Sequence, residues 1–275
     1  MQLGIFAKTF PGTTPDAVLA AARDAGYAAV QYNMACSGLP SLPVSVDMST
    51  ARAVADASER TGVAIAALSA TYNMIHPALS VREEGRSSFA ALAAAAPVIG
   101  TRLLTVCTGS RDAADQWRHH PDNASPAAWH DLIAEFELLL PIAEAHDIAI
   151  GVEPELGNVV SSAANARTLI DHFGSSRIRI VLDPANLFEA ATAAEREALV
   201  EDAVSRLGDS IALAHAKDRH ADGSFATAGD GVIDFPHFIR VLRAAGFDGP
   251  LVTHGLAAGD AARVAAFLEA SGAPT

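Results

Sequence analysis

Four residues of this chain could together hold a divalent metal ion: Glu153, Asp183, His215 and His254. Each stands directly after a short apolar run, at residues 148–152, 178–182, 211–214 and 251–253. Carboxylate oxygen and imidazole nitrogen are donors that Mn²⁺, Mg²⁺, Co²⁺, Fe²⁺ and Zn²⁺ accept. Taken singly, each residue has an ordinary explanation. Asp183 before Pro184 is a common turn residue, and His215 could be a core histidine bonded to backbone. Glu153 is harder to explain away, because the run before it would bury a carboxylate that then needs a positive partner. The conjunction of all four is what points to a metal.

Those residues converge only if the elements around them alternate. Eight apolar runs occur, at 3–7, 28–31, 63–68, 103–106, 148–152, 178–182, 211–214 and 251–253. Each is too short for a globular helix and fits a strand buried on both faces. The segments between them read as helices. The clearest is 125–146, where Ser125 can cap, Pro126 suits the first turn, and Trp129, Leu132, Phe136, Leu139 and Leu140 share one face. Pro141 inside that pattern predicts a kink or an early break. Asp234 caps a second helix carrying the stripe Phe238, Val241, Leu242. Gly26, Gly62, Gly100, Gly174, Gly208 and Gly246 close helical segments, and His146-Asp147 closes the unit that lacks a glycine.

Strict alternation implies a parallel sheet with right-handed crossovers. Eight units in about 250 residues is the size of a closed (β/α)8 TIM barrel, here a single domain over 1–275. An open doubly wound sheet competes, but the turn Lys8-Thr9-Phe10-Pro11-Gly12 has no glycine-rich phosphate fingerprint. In a barrel, the polar residues at the C-terminal strand ends and in the following loops form the site. The four candidate ligands then sit at four consecutive strand ends. Ser69 ends the third strand, with Asn73 and His76 in its loop, and Cys107 and Thr108 lie near the end of the fourth.

Lesser candidates surround this set. Glu155 replaces Glu153 if the strand end is misplaced. His119 and His120, beside Trp117 and Arg118, read as a lid or surface loop rather than as ligands. His220 and His237 read as solvated. Lys217, Asp218 and Arg219 either grip an anionic or polyhydroxy substrate or form a wet loop.

Composition excludes several classes. In 275 residues, 50% are hydrophobic and 19% charged, which argues against disorder. A net charge of −13 repels phosphate backbones, so no nucleic-acid partner is expected. The two cysteines, Cys36 and Cys107, form no C-x-x-C pair and suit a reducing cytosol, hence a cytoplasmic location. No unbroken apolar stretch reaches the ~18 residues of a membrane span. No G-x-S-x-G elbow supports serine hydrolysis, and Gly229-Asp230-Gly231 is not a P-loop.

At these residues the chain resembles the xylose isomerase-like TIM barrels, the superfamily of sugar (and sugar phosphate) isomerases and epimerases. The matching stretches are Ile150-Gly151-Val152-Glu153-Pro154-Glu155, Val181-Leu182-Asp183-Pro184-Ala185-Asn186, His215-Ala216-Lys217-Asp218 and Gly229-Asp230-Gly231-Val232-Ile233-Asp234-Phe235. Tyr72-Asn73-Met74-Ile75-His76-Pro77 is similar to the family's third-strand loop. The resemblance implies a divalent metal on a Glu, an Asp, a His and a Glu from strands five to eight. The first three map onto Glu153, Asp183 and His215. The fourth departs: Thr253-His254-Gly255 stands where the epimerases carry glutamate, one of their two acid–base carboxylates. Asn186 falls where some relatives place a substrate-binding histidine.

The expected activity is a metal-dependent isomerisation or epimerisation of a small polyhydroxy carbonyl compound through an enediolate. Glu153 removes the α-proton, and His254 is a ligand or the second acid–base group. His76, Asn73, Asn186 and Lys217 orient substrate hydroxyls. A homo-oligomer is allowed, though the sequence does not fix the oligomeric state. The runner-up is a lyase or dehydratase on the same site. A passive sugar-binding barrel is opposed by the intact Glu153, Asp183 and His215. A nuclease like endonuclease IV is opposed by the charge.

Overall fold

The computed structural model describes residues 1–273. Eight strands form one closed parallel barrel: β1 (Gln2–Phe6), β2 (Ala29–Tyr32), β3 (Ala64–Ser69), β4 (Leu103–Cys107), β5 (Ala149–Glu153), β6 (Ile178–Leu182), β7 (Ile211–Ala216) and β8 (Pro250–Thr253). They pair in chain order, and β1 closes against β8 through Leu3 opposite Leu251. The helices α1 (Pro15–Asp24), α2 (Met48–Thr61), α3 (Leu79–Ile99), α4 (Pro126–Ala145), α5 (Ala163–Phe173), α6 (Ala193–Leu207), α7 (Phe235–Ala244) and α8 (Ala261–Ala270) alternate with the strands. A two-stranded ribbon, Asp218–Arg219 with Phe225–Ala226, rises from the loop after β7. No helix among the described residues is long and apolar enough to cross a membrane.

The main core lies between the strands and the helix ring, built from residues such as Leu19, Val54, Phe89, Leu132, Phe136, Phe235 and Phe238. A smaller apolar cluster of Ala67, Leu103, Val181, Leu213 and Val252 fills the barrel itself. Gly151 belongs to this layer. A Cβ there would stand 3.1 Å from both Leu103 and Val181, so the layer has room for hydrogen only. Side chains two apart on a strand share a face. Gly151 therefore sets Glu153 above the plug. Val181 does the same for Asp183, Leu213 for His215 and Val252 for His254.

Two expectations about helix ends need correction. α4 runs unbroken past Pro141 to Ala145. Pro141 and Glu137 lie on the exposed face, where water can satisfy the carbonyl that the proline leaves without an N–H partner. Gly208 follows α6 in right-handed conformation (φ −51°) and opens a short 3-10 turn, whereas the other helix-closing glycines have positive φ.

Candidate metal centre and substrate pocket

Glu153, Asp183, His215 and His254 each bring one donor atom into a group whose members all lie within 4.8 Å of one another. His215 Nδ1 is 3.1 Å from Glu153 Oε1 and 3.9 Å from Asp183 Oδ2. His254 Nε2 is 3.5 Å from Asp183 Oδ2, and the two imidazole rings meet edge to face at 4.5 Å. Glu153, Asp183 and His215 are buried, and His254 sits at the rim.

Two of these atoms have no hydrogen-bond partner although buried: Asp183 Oδ2 and His254 Nε2. Buried polar atoms are almost always satisfied, so an orphaned pair demands an explanation. Asp183 Oδ1 is occupied, accepting the Ala185 N–H at 2.9 Å, which turns Oδ2 into the cluster. Oxygen and imidazole donors with two unmet atoms fit a divalent cation.

The proton states agree with that fit. Burial pushes His215 down to about 4 and also lowers His254, so both imidazoles are neutral near pH 7 and can donate a lone pair. Burial alone would raise Asp183, but Lys217 and the two histidines outweigh it and hold the carboxyl well below its usual range. Burial and the Asp183 charge push Glu153 up to about 7, and burial with the Glu153 charge pushes Glu155 up to about 8. Lys217 is buried, which disfavours its charge, yet Asp183, Glu153 and Glu155 keep its pKa above the ordinary lysine value. Burial, with Glu153 beside it, makes the Cys107 thiol a very weak acid.

Metal uptake then carries a definite pH dependence. A cation competes with the Glu153 proton, whereas the histidines carry none to displace. Affinity for Mn²⁺ is expected to rise with pH up to about 7 and to level off above about 8, with proton release on binding. Calorimetric titration in buffers of different ionisation enthalpy measures it. A midpoint well below 7 would put the competing proton on His254 instead, whose burial lowers its pKa.

Gln31, on β2, had not stood out in the sequence. Its amide N–H groups donate to Ser69 Oγ at 3.2 Å and Thr105 Oγ1 at 3.0 Å. That leaves its carbonyl oxygen facing His215 Nε2 at 2.8 Å. With Nε2–H donating there, the Nδ1 lone pair of His215 points into the cluster, the usual way an outer partner fixes a metal-ligating histidine. Gln31→Leu is expected to weaken metal binding 10–100-fold. A titration showing affinity within twofold of wild type would remove Gln31 from the site.

Asn186 and Lys217 line the pocket. Asn186 Nδ2 donates to Glu153 Oε1 at 3.0 Å, and Lys217 Nζ lies 3.4 Å from Asn186 Oδ1 and from Asp183 Oδ2. Asn73 and His76 do not reach the pocket. The Asn73 amide ties down the β4 loop by donating to Ser110 O and accepting the Ser110 N–H. His76 Nδ1 accepts the Ala78 N–H at the start of α3, and its Nε2 meets Ala113 O. Both histidine nitrogens are thus spent on backbone. Asp218 is not a wet-loop residue either. It is fully buried and accepts the N–H groups of Arg219, Gly229, Gly231 and Ile233. Gly231 is required there, since a Cβ would stand 2.3 Å from the Asp218 carboxylate. His237 is buried on α7, with Arg240 at 2.8 Å from Nδ1, whereas His220 is exposed as expected.

Glu153, His215 and His254 line a cavity of about 870 Å³, with Asp183 buried behind them. Its walls include Lys8, Trp117, His119, Glu155, Glu189, Arg219 and Phe225. His119 therefore belongs to the pocket wall, as the lid reading allowed.

A closed parallel barrel with mixed carboxylate and imidazole donors at the C-terminal mouth defines the class: a (β/α)8 barrel with a candidate metal centre in its pocket. The chain belongs to the xylose isomerase-like TIM barrel family, whose model it matches over residues 19–270. Among solved structures, 3-keto-D-glucoside 4-epimerase from E. coli resembles it with TM-score 0.79 at 16% identity, over 98% of this chain and 99% of that one. L-ribulose 3-epimerase gives 0.75 at 18% identity, over 98% and 95%. D-allulose 3-epimerase from Methylomonas sp., in complex with D-allulose, gives 0.68 at 18%, over 92% and 83%. No curated protein sequence matches the chain. At these identities the likeness speaks for the fold.

Proposed function

We propose that the protein is a divalent-metal-dependent isomerase or epimerase of a keto-sugar or related polyhydroxy carbonyl compound. The observation that carries this reading is the convergence of Glu153, Asp183, His215 and His254, with two orphaned buried donor atoms, where three of the four line one large cavity. The sugar epimerases that share the fold support the substrate class. A divalent ion held by these four residues would supply positive charge beside a substrate carbonyl oxygen.

The chain's own groups account for the remaining chemistry. Glu153 is the base: with the cation in place of its proton, the carboxylate is ionised and can take the proton next to a carbonyl and return it to the neighbouring carbon. The Asn186 amide fixes its Oε1, and Lys217 sets the orientation of Asn186. The Lys217 ammonium also stabilises negative charge developing on a substrate oxygen, in a site where burial strengthens that interaction. His254, neutral and at the rim, is the fourth ligand.

The test is proton exchange. Metal-loaded protein incubated with a ketohexose such as D-allulose in D₂O is expected to place deuterium on the carbon beside the carbonyl, with mass otherwise unchanged. Loss of water from the sugar would instead reveal a lyase. Absence of exchange across keto-sugar substrates would overturn the reading.

A further inference from the structure

Resting on that reading, the geometry points to a substrate larger than a free monosaccharide: we propose that the pocket takes a keto-sugar glycoside whose aglycone is itself ring-sized, held against the aromatic faces of Trp117 and Phe225. The first ground is space. Twelve heavy atoms of a hexose, each given the ~30 Å³ that a water takes in the liquid, occupy at most about 360 Å³. More than half of the 870 Å³ cavity then lies beyond a sugar seated on the metal centre.

The second ground is what lines that extra volume. Trp117 and Phe225 are large apolar side chains left 49% and 54% exposed, and both face the pocket. Neither is loose. Phe225 stands in the ribbon after β7, with Lys217 Nζ 3.9 Å and Arg219 Cζ 4.2 Å from its ring centre. Lys217 is also 3.4 Å from Asp183 Oδ2, so one lysine separates the Phe225 ring from the metal centre.

Trp117 is held on both sides through its backbone. Asn158 Nδ2 donates to Gln116 O at 3.1 Å, and Ser110 Oγ donates to Arg118 O. Its own N–H donates to Asp115 Oδ1 at 2.9 Å. Gly157 packs so closely on this loop that a Cβ would stand 2.3 Å from Trp117 O. The indole has no aromatic neighbour among the described residues. A half-exposed ring on braced backbone, without a ring partner and at the wall of an oversized pocket, is a stacking face. Aromatic faces suit the apolar side of a sugar ring or an aryl group and add affinity beyond area burial.

The decisive experiment compares methyl and phenyl glycosides of 3-keto-β-D-glucose on the Mn²⁺-loaded protein. Binding is read from tryptophan fluorescence in a Trp129→Phe background, where Trp117 is the one remaining indole. The phenyl glycoside is expected to bind about tenfold more tightly than the methyl glycoside and to quench Trp117. Trp117→Ala, followed by calorimetry, is expected to bring that ratio close to one, and Phe225→Ala to reduce it. Equal affinity of the two glycosides for wild type would overturn the proposal, as would equal weakening of both by Trp117→Ala. A change of oligomeric state in Trp117→Ala with the ratio intact would assign the indole to a contact between copies and overturn it too. Deuterium exchange into D-allulose without preference for the phenyl glycoside would sink this inference alone. Preferential glycoside binding with no exchange into any keto-sugar would sink the isomerase reading alone.

Discussion

Glu153→Gln is expected to lower α-proton exchange by 10²–10⁴-fold while leaving the barrel folded. Glutamine keeps the shape of the side chain and an oxygen that can accept from Asn186, whose Nδ2 now donates to Glu153 Oε1 at 3.0 Å. What it removes is the group that carries the proton. The stability of the metal-free protein offers an independent readout. Burial and Asp183 raise the Glu153 pKa to about 7, above the ~4.3 of an unfolded chain. A raised folded pKa favours the fold while the group is protonated. That contribution is full below the unfolded pKa and is lost as pH rises through about 7. Wild type should therefore lose part of its stability between about pH 4.5 and 7, and Glu153→Gln should lose less. Exchange within tenfold of wild type, with metal content unchanged, would move the base to Glu155, the next carboxyl along the chain and half-buried in the same pocket.

The reach of sequence reasoning at this site follows from strand parity. Glu153, Asp183, His215 and His254 were legible because each ends an apolar run, and the alternation of strands and helices says which strand ends share a mouth. The barrel adds the reason for their height: Gly151, Val181, Leu213 and Val252 fill the interior two residues earlier. Gln31 obeys the same parity above Ala29, but the apolar run at 28–31 takes it in as its last residue, so it does not stand out as a polar strand end. Loop residues have no such rule. Asn73 and His76 lie in the loop after β3, yet their side chains satisfy backbone groups in neighbouring loops. Whether a loop side chain turns inward or caps a turn depends on contacts distant in sequence. His237 shows the same limit on a helix: packing against the α6 side, with Glu201 3.7 Å from Nε2, buries a residue that spacing alone left outside.

The ligand set makes the other large prediction, best posed as a graded pair. Asp183→Asn is expected to strip most of the bound metal, and His254→Ala to weaken binding without abolishing it. The difference lies in charge and position. Asp183 is the fully ionised carboxylate of the group, with Lys217, His254 and His215 all within 3.9 Å of Oδ2. Asparagine removes its negative charge and leaves the buried Lys217 ammonium without its nearest carboxylate. Breaking a buried pair in this way typically costs about 3–5 kcal/mol, so a lower Tm should accompany the lost metal. His254 is neutral and stands at the rim, where water can take the place of its Nε2. Its loss removes one donor but no charge. Set against the glutamate that the family resemblance implies at this strand end, an imidazole leaves the site one unit less negative, which favours an anionic transition state. Elemental analysis of the purified variants, with melting curves at matched pH, separates the outcomes. Equal metal in wild type and Asp183→Asn would sink the metal centre as drawn. Full metal in His254→Ala, together with lost exchange, would make that histidine an acid–base partner of Glu153 rather than a ligand.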